Sequence, residues 1–166
     1  NNFNPNDLTF PLKIYQDMGL KIKKISKTSY EFNCKTLKPI KKISTKEFPG
    51  YPTDLQAQLI ATQLKSALKS KVVENIFENR FIHIPELRRF GANLSIIGKT
   101  VTIHKTLNLF GAEVMATDIR ASFSLIIAAM MSKGTTVINR IYHLDRGYED
   151  FDLKLKKCGV NISRKK

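Results

Sequence analysis

A helix-ending glycine recurs along the 166-residue chain at intervals of about 70 residues, and this repeat constrains the fold most strongly. The glycines are Gly19, Gly91 and Gly159. Each one follows residues with helical spacing and precedes alternating apolar residues, which are typical of a strand. Glycine adopts the left-handed backbone that ends a helix without steric cost. The repeat therefore predicts three helix–turn–strand segments.

Two of these segments continue as predicted β-hairpins. After Gly91, alternating apolar residues occupy 94–97 and 101–103, with Gly98 and Lys99 at the turn between them. A similar hairpin after the first glycine would include Ile22, Tyr30 and Phe32.

A repeated Thr-Asp pair, Thr53-Asp54 and Thr117-Asp118, predicts two helix starts, because both residue types accept hydrogen bonds from free N–H groups there. The helix after Asp118, 119–131, is apolar on most sides and is predicted to lie in the core. β-rich segments follow at 72–77 and 135–141. The helix after Asp54 has an apolar stripe of Leu55, Leu59, Ile60, Leu64 and Leu68.

Together these elements read as strand, helix, strand, helix and hairpin. We predict one α/β (α+β) domain over 1–166, an inside-out α/β barrel of βαβαββ units at roughly 1–47, 48–108 and 109–166. Core helices would lie inside and sheets outside. The first unit lacks its opening strand and helix, and the chain starts at Asn1 without Met, so we expect a fragment of a longer protein. A linker between the first two units is predicted near 39–52.

The net charge of +14 has two interpretations. A polyanion such as nucleic acid or an anionic membrane is one, and lysine-rich solvated faces are the other. The basic clusters at 21–27, 38–46 and 154–157 are short, with little of the aromatic interleaving that base stacking needs. Solvated faces are favoured, and a nucleic-acid-binding module stays as the alternative.

Compartment and cofactors are constrained by what the sequence lacks. The longest apolar run, 125–131, is too short to span a bilayer, and no signal peptide opens the chain. Cys34, predicted to end a strand, and Cys158, predicted at a packing position, form no Cys-x-x-Cys motif, although they could be bridged in space. We expect a cytoplasmic protein with no membrane partner, no metal and no cofactor, because dinucleotide and P-loop motifs are also missing.

The histidines do not have metal-ligand spacing. His83 and His104 are predicted to be surface or structural residues. His143 lies beside Asp145 and Arg146 and is therefore a candidate active-site residue.

Three arginines are candidates for binding an anionic ligand. Arg120 lies inside the first turn of its predicted helix, where a cation opposes the helix dipole, so an anionic ligand or a partner carboxylate is expected there. Arg80 and Arg146 follow predicted strands, and arginine binds phosphate and carboxylate through two parallel donors. With Asp54 and Asp118 they could converge on one anionic substrate. Surface ion pairs, such as Glu78 with Arg80, are the alternative.

Four blocks of sequence resemble those of UDP-N-acetylglucosamine enolpyruvyl transferases. The first is Phe-Pro-Gly-Tyr-Pro-Thr-Asp-Leu-Gln-Ala-Gln at 48–58. The second begins with Phe-Glu-Asn-Arg-Phe at 77–81. The third contains Ala-Thr-Asp-Ile-Arg-Ala-Ser at 116–122, and the fourth is Arg-Ile-Tyr-His-Leu-Asp-Arg-Gly-Tyr-Glu at 140–149. The related shikimate-pathway synthase shares the family fold.

The resemblance implies a fold of two domains, each built from three βαβαββ units. It also implies transfer of the enolpyruvyl group of phosphoenolpyruvate to the 3-hydroxyl of UDP-N-acetylglucosamine, with release of phosphate. This reaction is the first committed step of peptidoglycan synthesis. By this resemblance, Asp54 would be the base, Ile76 would bind the sugar nucleotide through its backbone, and Phe77 would lie beside it. Asp118 and Arg120 would line the closed site, Arg146 would bind phosphoenolpyruvate, and Arg80 would lie nearby.

Two family features have no counterpart in this sequence: a Lys-Asn pair near the family's N-terminus and a mobile loop with a reactive cysteine. Cys34 and Cys158 match neither. The resemblance therefore implies that another domain is missing, and that the isolated chain is inactive.

Overall fold

The computed structural model describes residues 4–66 and 68–165. Short 3-10 turns lie at Pro5–Leu8 and Thr53–Leu55. The helices and strands, in chain order, are α1 (Thr9–Asp17), β1 (Lys21–Lys24), β2 (Tyr30–Asn33), β3 (Ile43–Ser44), α2 (Gln56–Gln63), β4 (Ser70–Val73), α3 (Ile84–Arg89), β5 (Leu94–Ile97), β6 (Thr100–Ile103), β7 (Glu113–Met115), α4 (Ile119–Met131), β8 (Val137–Asn139), α5 (Tyr142–Asp145) and α6 (Phe151–Lys157).

The middle unit has the predicted order of strand, helix, strand, helix and hairpin, but its opening strand β3 lies ahead of the predicted start of the unit at residue 48. Its four strands form one sheet in the order β3-β4-β6-β5. β3 and β4 are parallel, while β6 pairs antiparallel with both β4 and β5. Val101 of β6 lies opposite Val72 and Ile96, which fixes the register of the hairpin.

All three repeated glycines have the left-handed backbone that the repeat predicts, with φ of 108° at Gly19, 86° at Gly91 and 88° at Gly159. The hairpin after the first glycine is also confirmed, because Ile22 pairs with Phe32. A strand after Gly159 was wrongly predicted, since residues 160–165 form none. There Arg164 forms ion pairs with Asp145 and Asp152, which hold the tail against α5 and α6.

The core forms where α2 packs against α4 and both helices meet the four-stranded sheet. Leu59, Ile60 and Leu64 have 0% exposure, and burying each such side chain contributes about 2 kcal/mol. The two predicted core helices are therefore confirmed. Leu68 does not belong to the stripe: it is 66% exposed, because α2 ends at Gln63.

Segment 39–52 is not a linker. It contains β3, and Thr45 forms a parallel bridge with Tyr51. Tyr51 is fully buried, and its hydroxyl donates to the carbonyl of Leu55 at 3.2 Å. Proline and glycine in this segment shape the turn after an ordered edge strand of the sheet.

The third unit has parallel β7 and β8 with α4 between them, followed by α5 and α6. Both cysteines are free and exposed. Cys34 follows β2 as predicted, whereas Cys158 is not the packing position that its place before Gly159 indicated. Among the residues that the structure describes, no helix has both the length and the apolar character needed to cross a membrane.

Candidate functional site

A buried carboxylate, Glu74, lies just after β4 and is 3% exposed. The hydroxyls of Thr45 and Thr53 donate to its two oxygens, each at 2.9 Å. A buried carboxylate is costly unless donors compensate for the lost water. Glu74 therefore fixes the end of β3 and the start of the α2 segment relative to β4.

The same carboxylate shapes the backbone that follows it. Oε1 of Glu74 accepts hydrogen bonds from the backbone N–H of Ile76 at 2.9 Å and of Phe77 at 3.2 Å. Segment 76–77 is thereby held in a tight turn beside the start of α2.

Arg80 connects this turn to Asp54. Its Nη1 donates to Oγ1 of Thr53 at 2.8 Å, and its Nη2 lies 3.3 Å from Oδ1 of Asp54. The guanidinium carbon also lies 4.5 Å from the centre of the Phe77 ring, a cation–π contact. Arg80 is thus fixed from three sides. It does not form the surface ion pair with Glu78 that was the alternative.

Arg120 approaches the same carboxylate from the next unit. Its Nε forms an ion pair with Oδ1 of Asp54, and the two side chains are 42% and 58% exposed. This pair confirms that the arginine in the first turn of α4 has a carboxylate partner. We call Asp54, Arg80, Arg120, Thr53 and Glu74 the Asp54 cluster.

The two aspartates of the repeated Thr-Asp pairs act differently. Asp118 caps α4, since its Oδ1 accepts from the backbone N–H of Arg120 at 2.8 Å and of Ala121 at 2.9 Å. Asp54 lies inside the 3-10 turn, whose N-cap is Pro52, and makes no cap hydrogen bond. The capping prediction is therefore confirmed for Asp118 and wrong for Asp54, whose carboxylate faces the two arginines.

Arg146 lies outside the Asp54 cluster. It is exposed, follows α5, and lines an open hollow with Tyr148, Glu149 and Arg164. Within residues 4–66 and 68–165, no hydrogen bond or ion pair joins Arg146 to the cluster.

The segment that carries Arg146 nevertheless lies beside the starts of α2 and α4. Nε2 of Gln58 donates to the hydroxyl of Tyr148 at 3.4 Å. Gly147 lies so close to Ile119 that a Cβ on the glycine would be 2.1 Å from Cδ1 of Ile119.

A second hollow lies along the segment after β4. It is lined by Ile76, Phe77 and Ile82 and by the hairpin turn at Gly98 and Lys99. The backbone N–H of Glu74 donates to the carbonyl of Lys99 at 2.8 Å, which ties this turn to the cluster.

Sequence reasoning did not identify Thr45, Glu74 or Lys99. The available signal was an acidic residue directly after the apolar pair Val72-Val73, where the parallel strand ends.

No hydrogen bond or ion pair within the described residues joins a histidine to the Asp54 cluster. His83 is 1% exposed, and burial lowers its pKa to about 4, although the charge of Asp118 acts in the opposite direction. The ring of His104 is 3.0 Å from the hydroxyl of Ser95 across the hairpin. Both are structural residues, as predicted. His143 packs on the ring of Tyr142, with centroids 4.2 Å apart. Among the described residues, no group of three or more His, Cys, Asp and Glu side chains is arranged to hold a metal ion.

A family model for EPSP synthase (3-phosphoshikimate 1-carboxyvinyltransferase) matches residues 1–155. The chain belongs to the EPSP synthase family. Curated relatives of the chain are called UDP-N-acetylglucosamine 1-carboxyvinyltransferase. They confirm the resemblance to UDP-N-acetylglucosamine enolpyruvyl transferases that the four sequence blocks indicated. The one from Campylobacter lari is 48% identical over 98% of this chain, and the one from Rhodopseudomonas palustris (strain TIE-1) is 56% identical over 74%.

The chain spans 39% of the Campylobacter lari relative's length and 28% of the Rhodopseudomonas palustris relative's. It is therefore much shorter than the enzymes that it resembles.

Solved structures show the same fold. The enolpyruvyl transferase NikO from Streptomyces tendae superposes with a TM-score of 0.82 at 23% identity, over 95% of this chain and 37% of that one. An EPSP synthase from Acinetobacter baumannii gives a TM-score of 0.60 at 14% identity, over 82% of this chain and 33% of that one. The predicted fold class, an inside-out α/β architecture, is confirmed for this member of the EPSP synthase family.

Proposed function

We propose that this chain is the C-terminal portion of a UDP-N-acetylglucosamine 1-carboxyvinyltransferase. The reaction moves the enolpyruvyl group of phosphoenolpyruvate to the 3-hydroxyl of UDP-N-acetylglucosamine and releases phosphate. The observation that carries this proposal is the carboxylate of Asp54, which Arg80 and Arg120 hold beside segment 76–77. Relatives at 48% and 56% identity that bear this enzyme's name support the choice of substrates.

Asp54 acts as the base in this proposal. Both of its ion pairs within the described chain use Oδ1, and its side chain is 58% exposed, so Oδ2 is free to face a substrate hydroxyl. A positioned carboxylate takes the proton of the 3-hydroxyl. The sugar oxygen bonds to C2 of phosphoenolpyruvate as a proton adds to C3. Loss of a proton from C3 then re-forms the double bond while the bond from C2 to the phosphate oxygen breaks, and the leaving phosphate carries away the proton that Asp54 took.

Segment 76–77 binds the sugar nucleotide. The N–H groups of Ile76 and Phe77 are occupied by Glu74, so the backbone contact of Ile76 is made by its carbonyl oxygen. Phe77 is 55% exposed and supplies an apolar surface along the hollow.

The arginines have two roles in this proposal, orienting Asp54 and binding the anionic substrate. Arg120 and Arg80 orient Asp54, and Asp118 holds the first turn of α4 from which Arg120 extends. Arg146 is exposed, with no ion-pair partner in the described chain, and it lies near the starts of α2 and α4. We assign it to the phosphate or carboxylate of phosphoenolpyruvate.

Another domain completes the site. The chain spans 39% of its Campylobacter lari relative, and the reaction needs groups beyond the Asp54 cluster. The isolated chain is therefore inactive in this proposal. The complete enzyme works in the cytoplasm at the first committed step of peptidoglycan synthesis, without cofactor.

The test is phosphate release from phosphoenolpyruvate and UDP-N-acetylglucosamine by the complete protein that the gene encodes. Asp54→Asn keeps the shape of the side chain but removes the base, so turnover should be lost while the unfolding midpoint is retained. Asp17→Asn, at an exposed carboxylate at the end of α1, is the control. Wild-type turnover in Asp54→Asn would exclude Asp54 as the base. Absence of phosphate release by the wild-type protein would exclude the proposed transferase activity.

A further inference from the structure

We propose that Glu74 is a positioning residue that sets both halves of the proposed site. This inference rests on the proposed function, because it concerns how Asp54 and segment 76–77 are held for that reaction. Glu74 is 3% exposed, so it acts through its neighbours and not by touching substrate.

Four donors converge on this one carboxylate. Thr45 follows β3, Thr53 lies in the 3-10 turn before α2, and the remaining two donors are backbone N–H groups of the segment after β4. The carboxylate is therefore the point at which three stretches of chain are joined. Removing an acceptor from a buried site leaves its donors unpaired, which costs more than the hydrogen bonds contribute in isolation.

The first path leads from Glu74 to Asp54. A threonine hydroxyl has one proton, and Thr53 donates it to Oε2 of Glu74 at 2.9 Å. Its lone pairs then point towards Arg80, whose Nη1 donates to it at 2.8 Å. Arg80 in turn binds Oδ1 of Asp54. Glu74 thus fixes the direction of the Thr53 hydroxyl, and the hydroxyl fixes the guanidinium that orients the base.

The second path leads to the nucleotide-binding segment. Oε1 accepts from the N–H groups of Ile76 and Phe77, and the ring of Phe77 lies against the guanidinium of Arg80. Both paths meet at Arg80. A change at Glu74 should therefore disturb substrate binding and turnover together.

The test uses near-isosteric variants of the complete protein. Thr53→Val removes the hydroxyl and Thr53→Ser keeps it, while Glu74→Gln keeps the size and loses one acceptor. We expect kcat to fall about tenfold or more in Thr53→Val and Glu74→Gln, as for a lost hydrogen bond to a charged group. In Glu74→Gln the KM for UDP-N-acetylglucosamine should also rise. Thr53→Ser, which keeps the hydroxyl, should recover most of the kcat that Thr53→Val loses.

Gln63→Met is the matched control for simple loss of a buried hydrogen-bond acceptor. Gln63 is 1% exposed and accepts from the N–H of Ile40 at 2.9 Å and the hydroxyl of Ser70 at 2.8 Å, away from the cluster. Gln63→Met should lower the unfolding temperature. At temperatures at which the variant is folded, its kcat and KM should equal those of the wild type. If Glu74→Gln and Thr53→Val behave in the same way, the positioning role is wrong, whereas the transferase proposal stands as long as Asp54→Asn is inactive.

A second readout does not require activity. The Nε–H resonance of Arg80 and the amide resonance of Phe77 in nitrogen-15 NMR spectra should shift, and exchange faster with water, in Glu74→Gln but not in Gln63→Met. Thr53→Val should affect Arg80 alone, and it carries the test if Glu74→Gln does not fold. Unchanged resonances would overturn the inference even if the protein proves not to be a transferase.

Discussion

The Nε of Arg120 in the first turn of α4 forms an ion pair with Oδ1 of Asp54, which lies ahead of α2 in the preceding repeated unit. A cation at the start of a helix opposes the helix dipole, so the carboxylate compensates an otherwise unfavourable arrangement. This contact joins the starts of the two core helices. It explains why an arginine occupies a position that local helix preferences disfavour.

Removing this contact should impair turnover more than stability. In the complete protein, Arg120→Ala should lower kcat by about 10- to 100-fold, because a charge that orients the proposed base is lost. The ion pair is about half exposed, so its contribution to stability is small. Steady-state kinetics with a thermal melt check this. Lys13→Ala on exposed α1 is the control, and equal effects of both changes would contradict the assignment.

The two aspartates of the repeated pairs should differ in their effect on stability. Asp118→Ala removes a cap and should lower the free energy of unfolding by about 1 kcal/mol. Asp54→Ala removes exposed ion pairs and should change it by less. Asp118→Asn should stay close to wild type, since asparagine also caps. Urea unfolding of the four proteins measures this, and equal losses for the two alanine variants would contradict the distinction.

His83 should make the stability fall at mildly acidic pH. Its pKa is about 4 in the folded protein and ordinarily 6.5, so the unfolded chain binds a proton that the folded chain excludes. The contribution is therefore fully present above pH 6.5 and is lost as the pH falls towards 4. The loss is about 3 kcal/mol when complete.

The control for this prediction is His83→Phe, which fills the site without titrating. Free energies of unfolding between pH 7 and 4.5 should fall more steeply for wild type than for the variant. A constant difference across this range would show that His83 is not responsible.

Gly111→Ala should disturb the approach of the chain to the turn before β8. A Cβ at residue 111 would lie 2.1 Å from the carbonyl oxygen of Thr135, a backbone atom that cannot rotate away. We expect a loss of about 2 kcal/mol or more in the free energy of unfolding. Gly98→Asn is the control, since no atom lies within 4 Å of a Cβ there and asparagine tolerates its φ of 52°.

The high positive charge should produce only weak, salt-sensitive binding to nucleic acid. Lysines on solvated faces contact phosphate without specific geometry, so RNA binding by the chain should disappear as salt rises to about 0.2 M. A salt titration of fluorescent RNA measures this. Binding that survives physiological salt with sequence preference would support the nucleic-acid-binding alternative.

The repeat predicted most of the architecture because its determinants are local. Glycines at helix ends and alternating apolar residues specify turns and hairpins within a few residues. The prediction of a strand after Gly159 failed because a strand needs a pairing partner that local sequence does not specify. The segment is held by ion pairs from Arg164 to Asp145 and Asp152. The short strand β3 was missed because its pairing with β4 lies beyond local sequence preference.

The candidate site was predictable only in part. Asp54 and Arg120 drew attention through an unusual helix position and a resemblance, and they meet in space. Glu74 was missed because an acidic residue after a strand is ordinarily solvated. Its burial depends on donors 21 and 29 residues away along the chain, a distance over which sequence spacing carries no information.

The two Thr-Asp pairs of the internal repeat have different structural roles, and this difference has a consequence for function. At Asp118 the carboxylate accepts hydrogen bonds from the first turn of α4, so a substitution that removes this cap would destabilise a core helix. At Asp54 the 3-10 turn has Pro52 as its N-cap, and the corresponding carboxylate does not serve as a helix cap. Duplication thus gives two copies of one motif: one copy maintains the helix, and the other is available for the catalytic role that we propose for Asp54.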